Sequence, residues 1–218
     1  RYPVTTTKPI TWHAVGAIEN IKIEYSPEGG ADGTWVEPAI ADAESVSNGT
    51  KQWLVPTTVS PDVVVRISDA IADSGTTPVL SSHFKIVGNF TVNPPATNDI
   101  WTVTSGQIEN PQETITWITQ GTVPEVNLWY VVDGMYPGTK INGARITDGG
   151  LGGSLPWTVA NAISKDVRIM VEDADDPYPN TYAISGKFNI RGDLNITSPV
   201  GGEMWRINES KPVGSAVS

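Results

Sequence analysis

Carboxylates gather at two equivalent places in the sequence, each at the end of a run of β-branched residues. Asp69 and Asp73 close the first run, and Glu172, Asp173, Asp175 and Asp176 close the second. Several oxygen ligands on one loop suit Ca²⁺, so Asp173, Asp175 and Asp176 are the candidate calcium ligands. The plainer reading is a solvated acidic turn before a hairpin. A glycosidase acid and base would need two carboxyl groups facing each other across a cleft, and no spacing here sets that up. His13 and His83 are the only histidines, fewer than a metal site or a supported catalytic triad asks for. Gly149-Gly150-Leu151-Gly152-Gly153 lacks the Lys-Ser/Thr of a phosphate loop and reads as a flexible hairpin tip. No catalytic residue is expected, and the chain is not read as an enzyme. No cofactor is expected either, calcium being the one candidate.

Tryptophan is the other unusual resource, with eight in 218 residues. Trp12, Trp53, Trp117 and Trp157 recur at matching positions and so read as core. Trp35 and Trp129 do not recur, which leaves them as candidate stacking platforms for sugar rings. The sequons at Asn48, Asn89, Asn195 and Asn208 permit N-glycosylation in a host that performs it. A net charge of −10 leaves no basic stripe for nucleic acid. The absence of cysteine removes disulfide and thiolate chemistry. No apolar run reaches the roughly 18 residues of a membrane span. The chain opens on Arg1, which reads as a processed or excerpted product.

These residues have to be placed by strands. Charged residues make up 17%, with 21 Gly and 17 Pro, a balance that suits short strands joined by turns. A repeat organises them. Trp12 and Trp117 lie 105 positions apart, as do Tyr25 and Tyr130; Trp53 and Trp157 lie 104 apart, as do Phe84 and Phe188, Gly88 and Gly192, and Trp101 and Trp205. Seven or so strands per unit predict an all-β chain of two tandem immunoglobulin-like β-sandwiches plus an extra C-terminal strand segment. The expected boundaries are 1–88, a sandwich lacking its own first strand; 89–192, a complete sandwich; and 193–218, the opening strand of a further repeat. Expected core residues are Trp12, Ile23, Tyr25, Trp53, Val65, Ile67, Phe84 and Ile86 in the first unit. In the second they are Trp117, Leu128, Tyr130, Trp157, Ile169, Val171, Phe188 and Ile190.

Several of these segments carry a resemblance. Ser198-Pro-Val-Gly-Gly-Glu-Met-Trp205, Ile10-Thr-Trp12, Ile21 to Ser26, Thr34-Trp35, Trp53 to Pro56 and Val167 to Ala174 resemble the Ser-Thr-rich glycosyl-phosphatidyl-inositol-anchored membrane family domain. That domain occurs in fungal cell-wall proteins and as repeats in microbial surface proteins. The resemblance implies an extracellular, cell-surface β-sandwich without known catalytic residues. The second copy departs from the pattern, with Lys140 for the Trp of the Thr-Trp pair and Asn93-Pro-Pro-Ala-Thr-Asn-Asp-Ile-Trp101 in its opening. Ser26 to Trp35 also resembles the Asp-box hairpin of sialidase propellers, but a propeller needs several blades of shorter period.

The opening stretch Asn89-Phe-Thr-Val92 returns as Asp193-Leu-Asn-Ile196 and is missing from the front of the chain, where Tyr2 stands in the place of Trp205. A sandwich without that strand exposes an edge and a strip of core. Leu194, Ile196, Val200 and Trp205 are therefore the candidate assembly residues, their segment completing the first unit of a neighbour in a head-to-tail homo-oligomer or filament. Two explanations stay open: this strand exchange, or a window cut from a longer array. The expected function is structural, in an extracellular surface or filament-forming protein. A carbohydrate-binding module, with polysaccharide as partner, is the alternative.

Overall fold

Alternation of apolar and polar side chains, with turn residues between, produces strand after strand. The computed structural model describes residues 1–71, 74–103, 112–194, 196, 201–202, 204 and 206–208. The chain is all-β; among the described residues the one helical element is the 3₁₀ turn Val46–Asn48. The first eight strands are β1 Tyr2–Pro3, β2 Thr7–Thr11, β3 Asn20–Ser26, β4 Ala41–Ser45, β5 Thr50–Leu54, β6 Ser60–Asp69, β7 Val79–Leu80 and β8 Phe84–Val87. The remainder are β9 Asn89–Val92, β10 Ile100–Thr102, β11 Glu113–Gln120, β12 Glu125–Val132, β13 Thr139–Lys140, β14 Ile146–Thr147, β15 Gly153–Trp157, β16 Ser164–Asp173, β17 Tyr182–Ile184 and β18 Phe188–Arg191.

These strands form two sheets on each side of Gly88. The larger sheet of the first unit runs β1-β8-β6-β3-β4 with β7 beside β6, and that of the second runs β10-β18-β16-β12-β13 with β14 beside β12 and β17 beside β16. Opposite them lie β2-β5 in the first unit and β15-β11-β9 in the second. The repeat holds in detail. Tyr2 pairs with Ile86 in a parallel ladder as Trp101 pairs with Ile190. Both long strands shift register at the same place, between Ser60 and Val63 and between Ser164 and Val167. A bulge at such a point bends the strand to follow the sandwich.

Inward-facing positions build the cores. In the second unit Trp101 packs on Phe188 at 4.8 Å and on Trp157 at 5.8 Å, and Tyr130 lies 5.5 Å from Trp157. The first unit copies this with Tyr2 on Phe84 at 4.8 Å and Tyr25 on Trp53 at 5.2 Å. All eight expected second-unit residues join one cluster, Tyr130 half-buried. In the first unit Ile23, Trp53, Val65 and Ile86 are buried, but Trp12, Tyr25, Ile67 and Phe84 are only half-buried, and the core is split in two.

The units are joined tightly. A Cβ on Gly88 would fall 2.3 Å from the Val123 side chain, so only glycine lets Val123 lie over the joint. Gly121 has φ +97°, and its Cα faces Val4 and the Thr57 carbonyl. Thr122 donates its amide to the Thr57 carbonyl at 2.9 Å, and its hydroxyl accepts the Val59 amide at 3.1 Å. Lys85 and Asp176 form an ion pair across the joint at 2.9 Å.

Candidate functional site

The strand β9 shows what a complete unit contains. It runs antiparallel to β11, with Asn89 opposite Gln120, Phe90 opposite Thr119, Thr91 opposite Ile118 and Val92 opposite Trp117. Phe90 and Val92 point into the core, 5% and 7% exposed, while Thr91 and Ile118 point out. The strand also touches β16 and β17, so it closes the space between the two sheets.

Among the described residues, the first unit has nothing in that place. The strand β2, which matches β11, pairs with β5 on one side and leaves its other edge without a partner strand. It stops at Thr11, whereas β11 continues to Gln120. The stretch that would continue it, Trp12 to Val15, is tied at Trp12, whose amide donates to the Gly49 carbonyl at 3.1 Å and whose indole N–H donates to the Val46 carbonyl at 2.9 Å, and then runs out to Val15, 84% exposed. What results is a groove of about 730 Å³, lined by Ile10, Trp12, Trp53, Val65, Ile67 and Phe84 inside and by exposed Val79 and Leu80 of β7 at the rim. A water takes up about 30 Å³ of liquid, so this is room for a chain segment and no packing defect. The half-burial of Trp12, Ile67 and Phe84 follows from the same absence.

The groove is mostly apolar, with Asp69, His13 and His83 also in its lining, and a set of ion pairs lies on the outer face of the sheet behind it. Arg66 donates to the buried Glu24 carboxylate at 2.7 Å through Nη2, Lys22 reaches the same carboxylate at 2.8 Å, and the Arg66 guanidinium lies 3.9 Å over the Trp35 ring. Burial pushes the Glu24 carboxyl up, but hydrogen bonds and charge from Lys22 and Arg66 outweigh it and hold it below the usual range. His83 and Asp62 pair near one end of the groove.

The acidic cluster of the second unit does not converge on a common point. Asp173 accepts the Asp175 amide, and burial pushes its carboxyl up. Asp175 pairs with Arg145 at 2.6 Å, and Asp176 is bonded by Lys85 and by the Thr181 hydroxyl. Among the described residues no group of three or more His, Asp or Glu is arranged to hold a metal ion. Both candidate platforms are engaged: Trp35 lies under Arg66, and half-buried Trp129 donates Nε1–H to Glu172 at 2.8 Å. Asn48 and Asn89 are exposed, bonded to Glu44 and Gln120, and Asn208 is exposed with φ +66°. Leu194 and Ile196 are 88% and 73% exposed. Asp73, Asn195, Val200 and Trp205 lie outside the described residues.

Two features escaped the sequence. Asp148 is buried and takes hydrogen bonds from Trp117 Nε1 at 2.6 Å, the Thr119 hydroxyl at 2.8 Å and the amides of Gly150 and Gly152. The glycine run expected to be a free tip is therefore wrapped around a carboxylate. Tyr136, Tyr178 and Tyr182 form an aromatic cluster, the first two stacked at 5.5 Å and the last two edge-on at 4.9 Å. No protein-family model matches the chain, and no curated protein matches it. Among the described residues no helix is long and apolar enough to cross a membrane.

Proposed function

We propose that this chain is a structural repeat module of an extracellular surface or filament-forming protein, assembling head to tail with its C-terminal strand segment completing the first unit of a neighbour. The observation that carries this reading is the groove beside β2, in the place β9 fills in the second unit. The two-sandwich repeat, the resemblance to surface-protein domains and the close joint at Gly88 support a stiff, load-carrying row of units. Unpaired strand edges favour such association, because each exposes a row of amides and carbonyls. Electron microscopy and sedimentation of the purified chain test the reading. Filaments or concentration-dependent oligomers are expected, and they should vanish on deletion of residues 193–218. A chain that stays monomeric at high concentration, or assembles without that segment, overturns it.

The tyrosine cluster favours a second reading, a carbohydrate-binding module, since aromatic faces half open to solvent stack on sugar rings. Retention on an insoluble polysaccharide that is lost in Tyr178→Ala, Trp35→Ala or Trp129→Ala would select it.

A further inference from the structure

We propose that the open side of the first unit is a two-part docking site for a second copy of this chain, entered in a defined register by that copy's Asp193–Ile196. This site rests on the head-to-tail reading proposed above. Its first part is the groove. Transferring the β9–β11 ladder by the repeat spacing sets Asp193 opposite Val15, Leu194 opposite Ala14, Asn195 opposite His13 and Ile196 opposite Trp12. Leu194 and Ile196 then take the inward places of Phe90 and Val92, and Asn195 the outward place of Thr91. Trp12 to Val15 gain the ladder that lets β11 run four residues further than Thr116, the match of Thr11. A one-residue slip would turn both apolar side chains to solvent, so the register is strongly specified.

The second part is a socket, and it is an independent observation. Gly16-Ala17-Ile18 repeats Gly121-Thr122-Val123, and both glycines are left-handed, at φ +108° and +97°. Around Gly121 the preceding unit is packed close, with Val4 3.0 Å and the Thr57 carbonyl 3.2 Å from where a Cβ would sit. Around Gly16 there is nothing within 4 Å. Val123 is fully buried over Gly88, whereas Ile18 is half-buried and uncovered by any such glycine. The matching glycine is Gly192, directly before Asp193. A second copy whose strand enters the groove thus brings Gly192 over Ile18, and the front of the first unit already has the backbone shape for that contact. The incoming chain must leave before Trp205, because Tyr2 already pairs with Ile86 where Trp101 pairs with Ile190 in the second unit.

The chain has no cysteine, so one engineered pair reports the register directly. Facing residues across an antiparallel pair lie about 4.5–5.5 Å apart at Cα, within the range a disulfide spans. Full-length His13→Cys and Asn195→Cys variants are mixed at assembling concentration and mildly oxidised; each alone serves as control. A covalent dimer from the mixture only is expected, and an Ala14→Cys, Asn195→Cys mixture should give little. Leu194→Ala or Ile196→Ala, read by sedimentation of the uncrosslinked chain, should each weaken association roughly tenfold or more. Assembly by sedimentation without the 13–195 dimer overturns this site and leaves the head-to-tail reading standing. Neither assembly nor dimer overturns both. A 13–195 bond forming within single molecules of the double variant at high dilution overturns a second copy as the occupant.

Discussion

Phe90 and Leu194 hold the same position in the repeat, yet one is 5% and the other 88% exposed. Truncating each to alanine therefore separates folding from association. Phe90 packs in the continuous core of the second unit with Trp117 and Val92, and a buried Phe→Ala change costs about 3–5 kcal/mol. With a urea slope of roughly 1–3 kcal/mol per molar, the second unit's midpoint should fall by at least about 1 M. Leu194 touches little in the isolated chain, so Leu194→Ala should change stability by no more than about 0.5 kcal/mol at high dilution. At concentrations well above the dissociation constant the order changes. A partner present at about 100 times that constant stabilises the unit it binds by about 2.7 kcal/mol, and Leu194→Ala should lose much of this. Urea titrations followed by tryptophan fluorescence at two protein concentrations measure all four values. A Leu194→Ala variant destabilised by more than about 1 kcal/mol in dilute solution would refute the reasoning, since the side chain would then already be docked in its own molecule.

Glu24→Gln should destabilise the first unit most at neutral pH. The Glu24 carboxyl lies below its ordinary value in the folded chain, so its contribution is present above the unfolded pKa of about 4.3 and is lost as pH falls through the folded value. Acid titrations of wild type and variant should therefore converge at low pH; a gap that widens there contradicts the sign. Gly121→Ala should cost about 1–2 kcal/mol for the left-handed backbone and further strain against Val4 and the Thr57 carbonyl, and should uncouple the units in calorimetry. Gly16→Ala, in open space, should show the backbone part alone, and equal effects would deny the joint its role. Asp148→Ala leaves two side-chain donors, from Trp117 and Thr119, unpaired in the interior. At about 1–3 kcal/mol each, a loss of about 2–6 kcal/mol confined to the second unit is expected in urea unfolding.

Local pattern and repetition carry the strands and the repeat of this chain. Alternation in Ile21 to Tyr25 and Val126 to Tyr130 marks the strands β3 and β12, and Tyr2, which the repeat sets in the place of Trp205, is found paired with Ile86 as Trp101 is with Ile190. The open place beside β2 among the described residues matches the position of Asn89 to Val92, a stretch that returns in the sequence at Asp193. What stayed hidden depends on which strands meet in space. Asp148 carries no local signal, because Trp117 and Thr119 of β11 come to it from 31 and 29 positions away once β15 pairs with β11. Trp129 reads as a free platform until β16 brings Glu172 to its indole. Arg145 and Lys85 reach the acidic cluster from 30 and 91 positions away, and no local pattern could announce them. Trp12 and Phe84, expected as core, are half-buried because both line the groove beside β2.

The magnitude of the groove contact alone decides how the docking site must work. Two apolar side chains buried from water contribute about 3–6 kcal/mol in total. Association itself costs about 4–15 kcal/mol in lost freedom, before any ordering of the strand. A strand of four residues therefore leaves little net affinity, and a free peptide Asp193–Pro199 should bind no tighter than about 1 mM. Within the chain the corresponding strand is helped by covalent connection and by the joint around Gly88, Gly121 and Val123. A second copy lacks the first and has to draw on the second, through Gly192 over Ile18 and the open face at Gly16. Association of whole chains should therefore exceed peptide binding by a large factor, and Gly192→Val, which lies outside the peptide, should weaken the chains. Calorimetric titration with the peptide and sedimentation of the chain supply the two constants. Equal values would mean that the groove acts alone and that the repeated socket at Gly16-Ala17-Ile18 contributes nothing to assembly.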